Sequence, residues 1–546
     1  MNVVQEQLSS AQPLAEVYVN QFSAVELLYE SDPAQSTSWS KRAAWLDESE
    51  HTRLGRADLA TYLRGYNREF NPHPAVEQAI SELEQPGAAV IVGGQQSGLF
   101  TGPLLVIYKA LTVIKAAKKA SAQLQRPVVP VFWIAGEDHD WDEVNHSYFL
   151  SPELQVGRIR VHRDAVDRGP VSYTSVSSKE WERAVAELEQ QLPDSEFKAQ
   201  LLDMAHQLQG KDASSLSEMF ARLMGNLFGK YGLILLDSAD PKLRQLELPV
   251  FEAIIAQNDE LESAYFDAVR DMADLGYTPS AEVAEGGANL FYVDDHERRL
   301  LFKQSGRYSD RKHKVSFSQE ELLAELHKYP ERFSNNVLTR PLMQDSVLPV
   351  LATVLGPGEI SYWGLTRRAF RKLGLRMPLL LPRESFTVVE PTVQKYMNKY
   401  ALKWNDVKER EGFRQKREAW LSAQDALQTD TRFDEVIGTF TDMYNPLIEQ
   451  LFSIDKGLHK LGGINRDKII EQMNYLRGKT KDALARNHDT GLRQLDRIEL
   501  SLFPLNKPQE RVYNIFYYLN RFGLDWIDGL MDISYDETGK HRIIYL

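Results

Sequence analysis

The sequence predicts an α/β protein: a core built on a parallel sheet, followed by an α-helical coiled coil. Three observations predict it. An apolar run at Ala88–Val92 and another at Val128–Ile134 flank a helical stretch that starts near Pro103, which makes a βαβ unit with parallel strands. The same grammar of buried strand and then polar loop returns at Tyr231–Ser238. From Pro391 the pattern changes, and apolar residues recur at alternating spacings of four and three, as in a coiled-coil seam.

In chain order, Gln5 to about Pro86 reads as a polar, helical wrapping segment. Strand, loop, helix and strand follow to Ile134. Leu150 to about Gln209, with a charged helix at Lys179–Leu192, reads as an insertion, after which helix Leu216–Phe228 leads into the third apolar strand. A single helix is expected from Pro241 to Leu275. Antiparallel strands at Asn289–Val293 and Arg299–Lys303 carry the basic run Lys303, Arg307, Arg311, Lys312, His313 and Lys314, and a helix follows at Ser318–Leu326. Thr339–Asp345 then precedes an apolar run, the segment Gly356–Trp363, another helix and a strand at Met377–Leu381 that ends in Pro382–Phe386.

The first helical stripe is Val393, Met397, Tyr400, Trp404 and Val407; a second is Phe440, Met443, Leu447 and Leu451; a third is Ile469, Met473 and Leu476. Breaks are expected at Gly412, Pro446 and Gly462–Gly463, folding several helices back on one another. Gln509 to Ile527 reads as one aromatic-rich helix. The resulting division is a core at 1–390 with insertions at about 150–210 and 281–335, a coiled coil at 391–510, and a terminal helix at 511–546 that packs back on the core.

A chain of 546 residues exceeds what one hydrophobic core organises, so two or three units are expected. Seventy-seven acidic against 64 basic residues leave a net charge of −13, which disfavours a non-specific grip on nucleic acid. The amino terminus has neither the basic flank nor the apolar stretch of a secretory signal, and no window has the ~20 apolar residues of a membrane span, so a cytoplasmic protein is expected. Absence of cysteine excludes disulfides, thiolate metal sites and a cysteine nucleophile.

The loop Gly94–Pro103, the tract Pro130–Asp140, the segment Gly356–Trp363 and the late Gln509–Val512 together resemble the bacillithiol biosynthesis cysteine-adding enzyme family, over essentially the whole chain. The resemblance implies a Rossmann-like core, related in layout to nucleotidyltransferases and class I aminoacyl-tRNA synthetases, with connecting-peptide insertions, a carboxy-terminal α-helical coiled coil and a homodimer. It also implies the last step of bacillithiol synthesis, in which the carboxyl of L-cysteine is joined to the amine of glucosaminyl malate.

Making an amide from a free carboxylate is uphill in water, so activation by ATP is expected, and with it a cradle for an adenine nucleotide. In the first loop Gly93, Gly94, Gly98 and Gly102 allow close backbone approach, Gln95, Gln96, Ser97 and Thr101 supply side-chain donors, and the helix from Pro103 offers its N-terminus to an anion. A tight structural turn is the alternative. The second loop gathers Glu137, Asp138, His139, Asp140, Asp142 and Glu143, with Asn145 and His146 beyond. His139 is expected to take a proton from the amine, with Asp138 or Asp140 orienting its ring or binding an ammonium. The same residues suit Mg²⁺ with ATP, or Zn²⁺ through His139 and His146; helix or turn capping by the acids is the plain alternative. Arg340, Gln344, Asp345, Glu359, Tyr362 and Trp363 are expected to wall the same crevice, Arg340 as a carboxylate or phosphate partner or in a structural ion pair. The basic run from Lys303 to Lys314 is either a loop that closes on phosphates or a solvated surface. Glu384, Ser385 and Phe386 with Thr490, Gly491 and Lys507 form a possible second nucleotide site. Competing readings are a metal-dependent hydrolase or amidase built on Glu137–His146, and a non-catalytic coiled-coil dimer that binds a nucleotide or sugar.

Overall fold

The computed structural model describes residues 2–6, 8, 12–163, 168–210, 213–294 and 297–546. The parts of the expected N-terminal wrap at 7 and 9–11, and of the two insertions at 164–167 and 295–296, lie outside the described residues. The chain forms two compact units, Met1–Val388 with Lys507–Tyr545, and Val389–Asn506 with Leu546.

The first unit is organised by a five-stranded, wholly parallel sheet. Its strands are β1 (Ala89–Gln95), β2 (Val128–Ile134), β3 (Ile234–Asp237), β4 (Val350–Leu355) and β5 (Leu379–Pro382), in spatial order β5-β4-β1-β2-β3. Every residue of β2, β3, β4 and β5 is buried. The strands are continuous apolar runs because helices cover both faces of a parallel sheet. The chain steps outward from β1 through β2 to β3 and then returns to lay β4 against the other side of β1. That reversal opens a crevice at the carboxyl ends of β1 and β4, the position at which open α/β sheets bind ligands.

The helices that position the crevice are α1 (Leu104–Leu124), α2 (Leu216–Phe228), α3 (Pro241–Ala256), α4 (Asn258–Asp274), α5 (Arg340–Val347) and α6 (Pro357–Trp363). The single helix expected from Pro241 to Leu275 is two, α3 and α4. The chain turns at Gln257 because the buried Asn258 side chain donates to the Ala288 carbonyl at 3.1 Å, a tertiary bond with no local sequence signal.

A second, antiparallel sheet comprises Gly287–Asp294, Glu297–Gln304, Arg307–Asp310, Ser316–Ser318 and Phe333–Asn335. Four residues of its basic run are ion-paired. Lys303 meets Asp259 at 2.5 Å, Arg307 meets Glu321 at 3.2 Å, Arg311 meets Glu282 at 3.7 Å and Lys314 meets Glu297 at 3.4 Å. Lys303 and Arg307 lie on strands, and Arg311 to Lys314 form the turn between Arg307–Asp310 and Ser316–Ser318, where Asp310 accepts from the Lys312 and Lys314 N–H groups at 3.2 and 2.7 Å.

The chain ends differ from expectation as well. Asn2–Glu6 is a strand, antiparallel to His541–Tyr545, and the expected tail helix is a short turn at Gln509–Arg511 followed by helices Ile515–Phe522 and Asp525–Asp532. Gly523, with φ of 72°, separates those helices.

In the second unit the first stripe spans two helices, Pro391–Lys399 and Trp404–Lys408, parted at Ala401 with φ of 51°. Gly412 lies inside helix Arg410–Ala423, Pro446 inside α7 (Thr429–Phe452) and Gly462–Gly463 inside α8 (Lys456–Asn487), so none of the three expected breaks occurs. The turn falls at Ser453–Asp455, where Asp455 caps α8 by accepting from the Gly457 N–H at 2.5 Å. Gly462 serves close packing instead, since a Cβ there would lie 2.9 Å from Ile448. The α7–α8 hairpin exposes Val436, Met443, Leu447, Leu461, Ile464, Tyr475 and Leu476.

Candidate active site

The crevice between β1 and β4 is tied by a buried lysine. Lys109, on α1 and 1 % exposed, donates to the Gly94 carbonyl at 2.7 Å, to Gln95 Oε1 at 3.0 Å and to Glu359 Oε2 at 2.6 Å. Burial pulls its pKa down, while the Glu359 carboxylate opposes that fall. Glu359 also caps α6 by accepting from the Gly356 N–H at 2.6 Å. One carboxylate therefore fastens the loop after β4 to the loop after β1. Gly94 is required at the strand end because a Cβ would lie 2.6 Å from the Trp133 carbonyl of β2.

Beside it, at the end of β2, Glu137 is fully buried among arginines from three elements. Its Oε2 accepts from Arg244 of α3 at 2.6 Å and from the Asn335 N–H at 3.2 Å; its Oε1 accepts from Arg340 Nε of α5 at 2.9 Å. Burial by itself would raise this carboxyl, but Arg340, Arg244 and Arg298 outweigh burial and hold it below the ordinary range. Arg244 also pairs with the buried Glu247, whose carboxyl is pushed up to about 7, chiefly by burial. Arg298 stacks 3.7 Å above the Phe291 ring, donates to Ser334 and Asn335, and sends Nη1 to His139 Nδ1 at 3.3 Å. Gly136, just before Glu137, sits in a cradle where any side chain would collide with Ser172, Asp237 and Ser217.

Asp138 is pushed up by burial but held well below its ordinary range by hydrogen bonds from His139 and Gln96 and by the Arg298 and Arg340 charges. Gln96 Nε2 donates to both Asp138 and Glu143 at 2.7 Å. In the tautomer whose Nδ1 accepts from Arg298, His139 carries its proton on Nε2; Nδ1 also lies 3.6 Å from Asp138 Oδ1, which it faces as a donor in the other tautomer. Asp140 is the N-cap of helix Trp141–Val144, its Oδ1 accepting from the Glu143 N–H at 3.3 Å. Asp142 pairs with Arg160.

The far half of the first loop is closed. Ser97 is buried against Ser217 Oγ at 2.7 Å, Thr101 is wholly buried, and Asn514 donates to the carbonyls of Phe100 and Gly102 at 2.7 Å each. The N-terminus of α1 is covered too, since the Leu104 N–H donates to the Tyr513 carbonyl at 2.9 Å. From Ser97 to Pro103 the loop is a structural turn held by the returning chain, and the expected anion cradle there is corrected; Gly94, Gln95 and Gln96 remain at the crevice, while Gly98 approaches the Gly102 backbone.

On α5, residues five apart lie about 140° around the helix, so Arg340 and Asp345 face apart. Asp345 is fully buried and holds Arg42 and Arg53. Gln344 is buried as well, and Trp363 is core, with its ring 6.0 Å from that of Phe370. Tyr362 is half-buried, and the Arg340 charge lies close to its hydroxyl.

For the second nucleotide site, Glu384, Ser385, Phe386 and Lys507 fall in the first unit and Thr490 and Gly491 in the second. Glu384 is enclosed by Lys115 and Arg542, Ser385 donates to Glu510 at 3.0 Å and Phe386 is core, so the first three are internal. Lys507 and Thr490 are exposed, and Gly491 packs against Trp420. Among the described residues no group of three or more His, Asp or Glu side chains is gathered to hold a metal ion, His139 and His146 included.

Sequence reasoning missed Lys109, Arg244, Arg298 and Asn335. Lys109 had a signal, a lone cation inside the apolar stretch Leu104–Ile114; the others reach the site through long-range packing alone.

Residues 1–384 match the family model described as bacillithiol biosynthesis BshC, N-terminal Rossmann-like domain, and residues 386–546 match the C-terminal coiled-coil domain of the same family. Relatives carrying the name "Putative cysteine ligase BshC" include proteins of Bacillus cereus strain Q1, 36% identical over 491 residues, and of Bacillus anthracis, 36% identical over 496 residues; each alignment covers 90% of this chain and 91% of the relative. No helix among the described residues is long and apolar enough to cross a membrane. With both domain models matched in order along its length, this chain belongs to the bacillithiol biosynthesis BshC family.

Proposed function

We propose that this protein is a cytoplasmic ligase that joins the carboxyl of L-cysteine to the amine of glucosaminyl malate, with ATP activating the carboxyl. The observation that carries the reading is Arg340. One edge of its guanidinium is anchored on Glu137, and its two Nη groups make no hydrogen bond to any described residue. An arginine held by a buried carboxylate and open on its remaining donors suits an incoming carboxylate or phosphate.

In this proposal a cysteine carboxylate oxygen attacks a phosphorus of ATP, expelling pyrophosphate or ADP. The amine of glucosaminyl malate then attacks the activated carbonyl. Arg340 and the His139 Nε2 proton stabilise the oxyanion, the amine proton passes to Glu143, and AMP or phosphate leaves. Glu143 suits the acceptor role because burial raises its carboxyl. Mg²⁺ enters with the nucleotide, bound chiefly through its phosphates, as is usual for this ion.

The second unit supports a homodimer. The apolar residues exposed along α7 and α8 are spaced as in a helix–helix seam, and exposed apolar surface of this kind marks an interaction face.

The test is incubation of the full chain with L-cysteine, ATP, Mg²⁺ and glucosaminyl malate, followed by mass spectrometry. An amide product with stoichiometric AMP or ADP is expected. A folded protein that yields no product under any nucleotide and metal condition overturns the reading.

A further inference from the structure

Gln95 and Gln96 are neighbours in sequence at the mouth of the crevice, and their partners lock them in opposite polarity. Gln95 Oε1 faces Lys109 Nζ at 3.0 Å, and an ammonium only donates. The carbonyl end of Gln95 is thus occupied, and its NH₂ group, which has no partner among the described residues, is the end presented outward. For Gln96 the situation is reversed. Its Nε2 lies 2.7 Å from both Asp138 Oδ2 and Glu143 Oε2, and ionised carboxylates only accept. Both amide protons of Gln96 are occupied, so its carbonyl oxygen is the end presented outward. Neither orientation can invert without setting like against like, a carbonyl against two carboxylates or an NH₂ group against an ammonium.

We propose that Lys109 and the Asp138–Glu143 pair are positioning residues that fix these amides, so that Gln95 gives a donor to the acid component and Gln96 an acceptor to an N–H of the amine component. The inference deepens the ligase reading and rests on it for the identity of the two components. The side of the crevice next to β4, where Lys109 and Glu359 meet, takes the carboxylate. The side next to Asp138 and Glu143 takes the amine. Two surfaces of opposite hydrogen-bonding sense keep the substrates from entering in exchanged places, although both carry a carboxylate and an amine.

The test uses the full chain and two near-isosteric changes. Gln95→Glu keeps the Lys109 contact but replaces the outward donor with a carboxylate oxygen. Gln96→Met removes the outward acceptor. Expected in steady-state kinetics is a KM for L-cysteine raised tenfold or more by Gln95→Glu with that for glucosaminyl malate within twofold of the parent, and the converse for Gln96→Met. Lys109→Met frees Gln95 to turn and gives the Gln95→Glu pattern in weaker form, whereas a purely structural role would lower kcat for both substrates together. Calorimetric titration of the same proteins with 3-mercaptopropionate, which keeps the acid of cysteine without its amine, and with methyl glucosaminide, which keeps the amine of glucosaminyl malate without its acids, gives a readout that needs no turnover: Gln95→Glu weakens only the first and Gln96→Met only the second. Product formation with unselective or absent effects overturns the polarity assignment alone. No product, with the selective probe effects retained, overturns the ligase reading and upholds the polarity. A folded parent that makes no product and binds neither probe overturns both.

Discussion

Two clusters of buried charge stand in the first unit, and they differ in what they leave unsatisfied. Around Glu137 the arginines 244, 298 and 340 converge from separate elements, and Arg340 keeps both Nη groups without a partner among the described residues. Around Glu384 and Glu510 the cations Lys115, Arg383 and Arg542 are equally buried, but the returning chain closes the cluster: Arg383 is bidentate to Glu510 at 2.7 and 3.1 Å, and Arg542 pairs with Glu384. Burial and charge are common to both. The atoms left over around Glu384, Lys115 Nζ, Glu384 Oε2 and Arg542 Nε, are enclosed, whereas the Arg340 side chain is 19 % exposed, and that access, not the number of charges, distinguishes a site from a structural lock.

The largest expected effect tests the closed cluster. Arg383→Met leaves Glu510 buried without its bidentate partner and is expected to cost about 3–5 kcal/mol in chemical denaturation, with the rate per folded molecule unchanged. A small loss of stability with a large loss of rate would reverse the roles of the two clusters.

Glu247, on the far side of Arg244, sharpens the comparison through pH. A carboxyl whose folded value is raised to about 7 stabilises the fold while it is protonated; this contribution is complete below its unfolded value of 4.5 and is lost as pH rises through about 7. Denaturation midpoints measured from pH 4.5 to 8 are therefore expected to show Glu247→Gln gaining on the parent by up to about 3 kcal/mol as pH increases. A difference that does not vary with pH would mean that Glu247 stays ionised beside Arg244.

Arg340→Met is expected to lower kcat/KM by about 100-fold, equivalent to about 2.7 kcal/mol, with most of the stability retained because Arg244 and the Asn335 N–H still hold Glu137. Loss of folding instead would place Arg340 with Arg383 among the structural residues. The smallest effect is expected at Asp140. Asp140→Ala removes one helix cap and should cost about 1 kcal/mol without altering the rate, and a large loss of rate would restore Asp140 to the site.

Much of this was legible in the chain. The buried strands at Val90 and Val131 are uninterrupted apolar runs with a helix of the right length between them, a local pattern that leaves little choice but a parallel pair. The residues at the mouth of the crevice, Gln95, Gln96 and Asp138, follow those strands directly. Elements whose cause lies elsewhere in the molecule were not legible. Asp345 and Arg340 sit on one short helix, yet one faces Arg42 and the other Glu137, and nothing in the intervening residues tells which. Ser97 to Pro103 has the composition of a phosphate loop, but Asn514, more than four hundred positions away, occupies its carbonyls. The breaks expected from Pro446 and Gly462 failed because packing of α7 on α8 outweighs intrinsic helix propensity.

The amino-acid sequence by itself determined the parallel core, the helical second unit and the family, because each is written in local periodicity or in contiguous motifs. Only the tertiary structure decided that β4 returns beside β1. That return brings Lys109 to Glu359 across 250 positions and surrounds Glu137 with three arginines, and with them it sets which end of each glutamine and which edge of Arg340 faces the crevice. Strand order is a long-range choice, and hydrogen-bond polarity follows from whichever partners that choice brings into contact.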